Sequence, residues 1–434
     1  MSGTKTVKIN VHHLTRVEGH GNIVVDVTRG KIKECRWEVP EAPRFFEAMV
    51  RGRMWHELHH ITSRICGICS IAHTLVSVKA TEAALGIKVS LQTEKLRKLA
   101  KHAENFQSHI LHVGYLVLPD LMKVGSVIPL ASSHPQELLT VVRLHRLSNE
   151  MSDLVCGRTT HPQRIVPGGF TRLPARAELE GLRERLGNCI PDLQAVADLV
   201  LSVAGNFPPF ERETEHIALV HPDEYPLCGG EIGSTDGGTW PVSEYRGIVN
   251  EYVVPHSTAK HARHNRESYM VGALARFNLN AERLSPLAGK LAAAFGLKPV
   301  NCNSFMNSVA QIVECAHSVE DSIRLIDELL VNGLEEEKFK VKPKAGKGAA
   351  AVEAPRGILF HEYEYDREGR CAGANCVIPT NQNHGNVQRD LEVLLSTLLG
   401  KNEKEIELGM EMLVRAYDPC ISCSTHLLRV KFEH

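Results

Sequence analysis

Two cysteine couples at opposite ends of this chain constrain its fold more than any other feature. RICGICSIAH, Arg64 to His73, sets Cys66 and Cys69 three residues apart in a glycine-interrupted turn and follows them with His73. DPCISCSTH, Asp418 to His426, repeats the arrangement with Cys420, Cys423 and His426. A zinc ribbon brings its couples within about 15–20 residues because one small unit folds around the ion. Here most of the chain lies between them, so they meet only across a finished tertiary fold.

Four thiolates are soft ligands that suit zinc, nickel, iron and copper(I), and on spacing alone a structural zinc staple and a redox metal site are both open. The neighbours favour the second. Arg64, His73, Asp418 and His426 crowd the couples; a structural zinc needs no such proton-handling company, whereas a metal that makes and breaks bonds to hydrogen does. The other eight of the twelve cysteines contain no Cys-x2-Cys-x2-Cys run, only the isolated Cys371 and Cys376, so no iron-sulfur cluster fits by the usual spacing. They read as small buried hydrophobes of a reducing compartment.

At 434 residues the chain is long enough for two or three ordinary domains or for one large enzyme subunit with a sizeable core. Fifty basic against fifty-one acidic side chains leave a formal charge of -1, which removes the footprint of a nucleic-acid binder. The start, MSGTKTVKINVHHL, has no apolar signal segment, and no run of about 18 apolar residues follows, so membrane insertion is not expected and the default compartment is the cytoplasm. GGEIGSTDGG, Gly229–Gly238, lacks the strand-to-helix context of a dinucleotide fingerprint.

The periodicity predicts an α+β, mainly helical fold. KTVKINVH, GNIVVDV and KIKECRWEV read as strands, the last two joined at Thr28–Lys31. LQTEKLRKLAKHAENFQSHILHVGYLVL reads as a long helix at the centre of a bundle, with further helices over Pro135–Met151, Ala175–Ala204, Lys260–Phe277, Ala281–Phe295 and Ser304–Val331. Glu335–Ala354 reads as an exposed loop, GILFHEYEYDREGRCAGANCVIP as a β section turning at Glu368-Gly369, and Asn386–Leu399 and Glu403–Arg415 as closing helices. One unit, 1–434, is expected: an N-terminal β section with the first motif (1–89), a helical bundle (90–335), and a β/helix section with the last motif (336–434).

The sequence resembles the large, catalytic subunit of nickel-iron hydrogenases. RICGICSIAH and DPCISCSTH are similar to that family's first and last metal-binding motifs, and HLTRVEGHGNI, GRTTHPQRIVPGGF and EAPRGILFHEY with VIPTN to motifs that stand between or before them, in family order. The resemblance implies that Cys66, Cys69, Cys420 and Cys423 bind nickel, Cys69 and Cys423 also bridging to an iron that carries carbonyl and cyanide ligands. It implies that His73 donates a hydrogen bond to the Cys423 sulfur and that Glu18 is the first proton acceptor, near Cys420. Arg356 is expected over the open side of the metals, fixed by Asp418 and Asp120, while Pro379 and Thr380 line the cyanide pocket. Glu47 and His426 are expected at a separate divalent-ion site, magnesium or similar. The spaced His56, His59 and His60 of MWHELHH read as a polar helix face.

The implied reaction is reversible heterolytic cleavage of H2. Because this chain offers no cluster ligands, the implied partners are an iron-sulfur small subunit and further electron-transfer subunits, flavin/iron-sulfur, diaphorase-like or heterodisulfide-reductase-like, leading to NAD(P), ferredoxin, a deazaflavin or a heterodisulfide. LLRVKFEH, which follows His426, is expected to be an encoded extension of the precursor or a retained tail, short as in the cytoplasmic, cofactor-linked group. A hydrogen-sensing protein, a complex I-like quinone-linked subunit and a zinc-stapled scaffold are the competing readings; the second requires the cysteine couples to be absent.

Overall fold

The N-terminal strands form as the alternation predicts. In the computed structural model, which describes residues 6–337 and 341–425, Val7–Val11, Asn22–Thr28 and Lys31–Glu38 make an antiparallel sheet in that order. Arg29 and Gly30 both take positive φ, 52° and 72°, the two-residue turn whose twist matches the flanking strands.

The centre is helical. Leu91–Leu111 is capped by the Ser90 hydroxyl and continues through a π-helical segment, His112–Val117, into Leu118–Leu121. It packs against Pro135–Cys156 on one side and Met306–Asn332 on the other, and the latter is flanked by Arg176–Asn188, Ala273–Asn280 and Pro286–Ala294. Arg176–Asn206 is, among the described residues, the one helical stretch long and apolar enough to cross a membrane. Its chain is divided at Cys189, and the second part turns Leu193, Val196 and Val200 into the core of the bundle.

Two expected elements differ. The periodicity predicts a helix over Lys260–Phe277, but His261–Arg263 pairs with Asn250–Tyr252 and Tyr269–Met270 pairs in parallel with Glu215–His216, so helix begins only at Ala273. The composition predicts a loop over Glu335–Ala354, but Gly346–Ala354 is a strand, antiparallel to Gly357–Tyr365, which in turn pairs with Cys371–Val377. The physical reason is on the strand's other side. The helix Ser70–Leu85 lies against it so closely that a Cβ on Gly348 would overlap the backbone of Ala83 and Ala84. This contact joins the element carrying the first cysteine couple to the section leading to the second. Pro379–Leu398, starting earlier than expected, and Glu403–Ala416 then deliver the chain to Cys420.

Candidate metal centre

The first couple sits where a turn becomes a helix. The 3₁₀ turn Ser63–Ile65 ends at an extended Cys66, and Cys69 is the N-cap of Ser70–Leu85, so the first couple sits at a helix N-terminus. Cys69 N donates to Cys66 Sγ at 3.1 Å. The central helix fixes the next turn: Ala72 N donates to Glu104 Oε1 at 2.9 Å, and Glu104 is itself paired with buried Lys101 at 2.5 Å.

The second couple is held by three separate elements. Asp418, in the left-handed region at φ 50°, turns the chain out of its helix. Ile421 N then donates to Glu18 O at 2.8 Å, and Cys420 N to Thr380 Oγ1 at 3.1 Å. Asn381 Nδ2 donates to Ser424 O at 2.9 Å. Trp37 Nε1 donates to His384 Nδ1, which leaves the proton on Nε2 to be shared with Ser424 Oγ 2.9 Å away.

The fold brings the couples together. Cys66 Sγ and Cys420 Sγ, 354 positions apart, lie 3.6 Å from each other, and the four sulfurs all fall within 4.8 Å of one another in buried surroundings. Cys420 and Cys423 are joined as a disulfide in this structure, and metal binding requires both as thiolates. The hydrogen bond with the Cys69 side chain holds the Cys66 thiol below the usual range against the effect of burial, and the Arg356 charge adds to the lowering; the same bond and burial push Cys69 up. Four buried sulfurs within reach of one ion, with an amide on Cys66 and a fixed cation nearby, fit a thiophilic metal.

Proton-handling groups lie on two sides. Glu18 Oε2 is 3.1 Å from Cys420 Sγ and accepts from Ser422 N at 3.1 Å, while Ser422 Oγ donates to Glu18 Oε1. Arg356 stands at the tip of a two-residue hairpin loop, since Ala354 pairs with Gly357. Its Nε donates to Asp418 O at 2.6 Å, its Nη2 to Asp418 Oδ1 at 2.7 Å, and its Nη1 reaches Ser108 Oγ at 3.4 Å. Gln311 Nε2 donates to the other Asp418 oxygen at 3.0 Å. Sequence reasoning missed Ser108, Gln311 and Ser422; only Ser422, inside a motif, carried any signal.

Asp120 is a correction. It does not fix Arg356: its carboxylate accepts from Arg16 Nη2 at 2.5 Å and from Arg415 Nε and Nη2 at 2.6 and 3.0 Å. Asp120 therefore ties the segment before Glu18 to the helix before Cys420. His73 is buried one turn into its helix, its ring centroid 5.7 Å from that of His361. Pro379 and Thr380 open their helix beside Cys420, the Thr380 hydroxyl accepting from the cysteine's amide. Glu47, buried, accepts from Cys376 N at 2.7 Å; His426 lies outside the described residues.

The MWHELHH face divides: His56 and His60 are exposed, but His59 is buried and neither ring nitrogen finds a hydrogen-bond partner. Among the described residues the three form no ligand group, whereas His102, His317 and Asp321 do by distance. Their hydrogen bonds argue against a metal there. Ser285 N donates to His317 Nδ1, which puts the proton on Nε2, and Asp321 is already shared by His102 Nε2 and Arg324.

Residues 44–140 and 244–426 match the family described as nickel-dependent hydrogenase, and residues 8–42 match a description reading HoxL-like. The chain belongs to the nickel-dependent hydrogenase family. It is 32% identical over 97% of its length to the sulfhydrogenase 1 subunit alpha of Pyrococcus furiosus, covering 98% of that chain. It is 29% identical to the NAD-reducing hydrogenase HoxS subunit beta of Cupriavidus necator, over 97% of its own length and 95% of the relative's. Among solved structures, an NAD+-reducing [NiFe]-hydrogenase in its H2-reduced state superimposes with a TM-score of 0.87 at 25% identity, over 97% of this chain and 99% of that one. The chain is thus a large, catalytic hydrogenase subunit, an oxidoreductase acting on H2, and its four-cysteine group fits the nickel-iron centre that the family implies.

Proposed function

We propose that the four sulfurs hold nickel, Cys66 and Cys420 as terminal ligands and Cys69 and Cys423 as bridges to an iron bearing carbonyl and cyanide. When bound, that group supplies the heterolytic splitting of H2. The observation that carries the reading is the meeting of both couples with a carboxylate at contact distance from one of the sulfurs.

Glu18 would accept the proton that cleavage of H2 leaves at the Cys420 thiolate, across the 3.1 Å gap to its Oε2, while Ser422 holds both carboxylate oxygens in that pose. Arg356 keeps a fixed positive charge over the thiolates. Two donors on Asp418 leave its planar fork no freedom to swing away, so it stabilises negative charge without reorganising. His73 tunes the sulfur of Cys423, and Pro379 and Thr380 shape the wall of the iron site. Asp120 acts at one remove, by holding Arg16 and Arg415.

Glu47 contributes to a divalent-cation site, magnesium or similar, together with His426. Its support is the course of the chain: Thr425 O, in the last described residue before the final stretch, accepts from Arg44 N, three residues before Glu47. Electrons leave through an iron-sulfur small subunit, and flavin-bearing or diaphorase-like subunits pass them to a cytoplasmic carrier. The partners are proposed because the relatives' names denote subunits of assemblies and because this chain has no cluster motif of its own.

The test is an infrared spectrum of the purified complex with metal analysis on the same sample. One carbonyl and two cyanide bands with stoichiometric nickel are expected. Zinc in the site and a silent spectrum would overturn the assignment.

A further inference from the structure

Arg44 touches both halves of the centre without belonging to either cysteine motif. Its Nη2 donates to Ile65 O at 2.7 Å and to Ser422 O, residues 21 and 378 positions away in sequence. Ile65 immediately precedes Cys66, and Ser422 immediately precedes Cys423. The Arg44 backbone N donates to Thr425 O at 2.6 Å, so the residue grips the last motif on both sides of Cys423. Its guanidinium carbon stands 5.3 Å from the centre of the Phe46 ring, which limits how far the side chain can swing.

Two carbonyl dipoles with their negative ends converging on one point repel unless a donor lies between them, and a cationic donor answers this more strongly than a neutral one. Cys423 Sγ also lies 3.4 Å from Ile65 O, so the spacing Arg44 imposes is the spacing of the ligands themselves. Elsewhere the two couples are carried by different supports: the first by the helix Ser70–Leu85 and Glu104, the second by Glu18, Thr380 and Asn381.

We propose that Arg44 is the positioning residue that fixes the distance between the two cysteine couples, so that four thiolates present themselves as one ligand set instead of two separate dithiols. This rests on the four-cysteine ligand assignment made above.

The experiment uses the full chain prepared without nickel, with its thiols reduced, and titrates it with Co2+ while recording the visible spectrum, which distinguishes a four-thiolate tetrahedral site from a two-thiolate one. Thermal unfolding of the metal-free chain is measured alongside. The unaltered chain is expected to bind one Co2+ with a four-thiolate spectrum. Arg44→Met keeps the stem over Phe46 and the backbone donor but no side-chain donors; it is expected to bind Co2+ about 10–100-fold more weakly, the range typical of lost outer partners, with a changed spectrum and a melting midpoint lowered by no more than a few degrees. Arg44→Lys, with rotatable donors but no fork, is expected between the two. Wild-type affinity and spectrum in Arg44→Met would overturn the proposal, and so would a collapsed midpoint in both variants, which would make Arg44 a folding residue. If the unaltered chain gives no four-thiolate spectrum, the ligand assignment itself fails and takes this proposal with it.

Discussion

Glu18 is the residue on which the proton chemistry turns. Its carboxylate is held by a backbone amide and a hydroxyl from Ser422 while facing the Cys420 sulfur. Glu18→Gln keeps the side chain's shape and removes its ability to take a proton. Turnover of H2 is expected to fall about 100-fold or more, with nickel content and infrared bands unchanged; turnover at the wild-type rate would sink the role. Glu18 was legible because it lies in a contiguous motif, as were the four cysteines, Arg356 and Asp418. Asp120 was not. An aspartate in a helical run carries no information about which arginine it will meet, and the fold pairs it with Arg16 and Arg415 instead of Arg356. Arg44, Ser108 and Gln311 were invisible for the same reason: each acts by reaching a carbonyl or side chain that tertiary packing brings to it.

Among the elements, the strand Gly346–Ala354 was the least legible and has the clearest consequence. Its Lys, Gly and Ala composition reads as a loop because no side-chain alternation marks it. What makes it a strand is the Gly357–Tyr365 neighbour on one edge and the close approach of Ser70–Leu85 over its face. Gly348 therefore predicts its own sensitivity. A Cβ there meets backbone atoms of Ala80, Ala83 and Ala84, which cannot rotate aside. Gly348→Val is expected to destabilise the chain by about 1–3 kcal/mol or more and to lower nickel content, because Cys69 is the N-cap of the displaced helix. Gly30→Ala, in a turn with open space around it, is the control: it strains only its own φ of 72°, so nickel content should stay unchanged. Equal nickel loss in both would mean that the helix-to-strand contact does not position the first couple. The misread stretch from Lys260 to Phe277 teaches the complementary point, since its strands are too short to print a period of two and exist only through partners at Glu215–His216 and Asn250–Tyr252.

The whole molecule distributes buried neutral imidazoles over several elements, and this sets how it responds to acid. Burial holds His216, His261 and His317 down at about 4 and His59 at about 3, on two strands and two helices. The unfolded chain protonates such groups near 6.5. Between that value and the folded ones the unfolded state binds more protons, so stability is complete above about pH 6.5 and is lost as pH falls towards 4. At pH 5 each group costs on the order of 2 kcal/mol, and four together approach the 5–15 kcal/mol that holds a typical domain folded. The urea midpoint of the metal-free chain is therefore expected to drop steeply between pH 6.5 and 5. Because the leading cause at each group is burial and not an ion pair, added salt should leave that slope almost unaltered. His216→Gln, which removes one titration from a set that also includes the buried His109 and His384, should make the slope measurably shallower. A midpoint that stays constant from pH 7.5 to 5 would mean that these imidazoles are hydrated in solution, and the close packing between sheet and bundle that buries them would have to be looser than the structure has it.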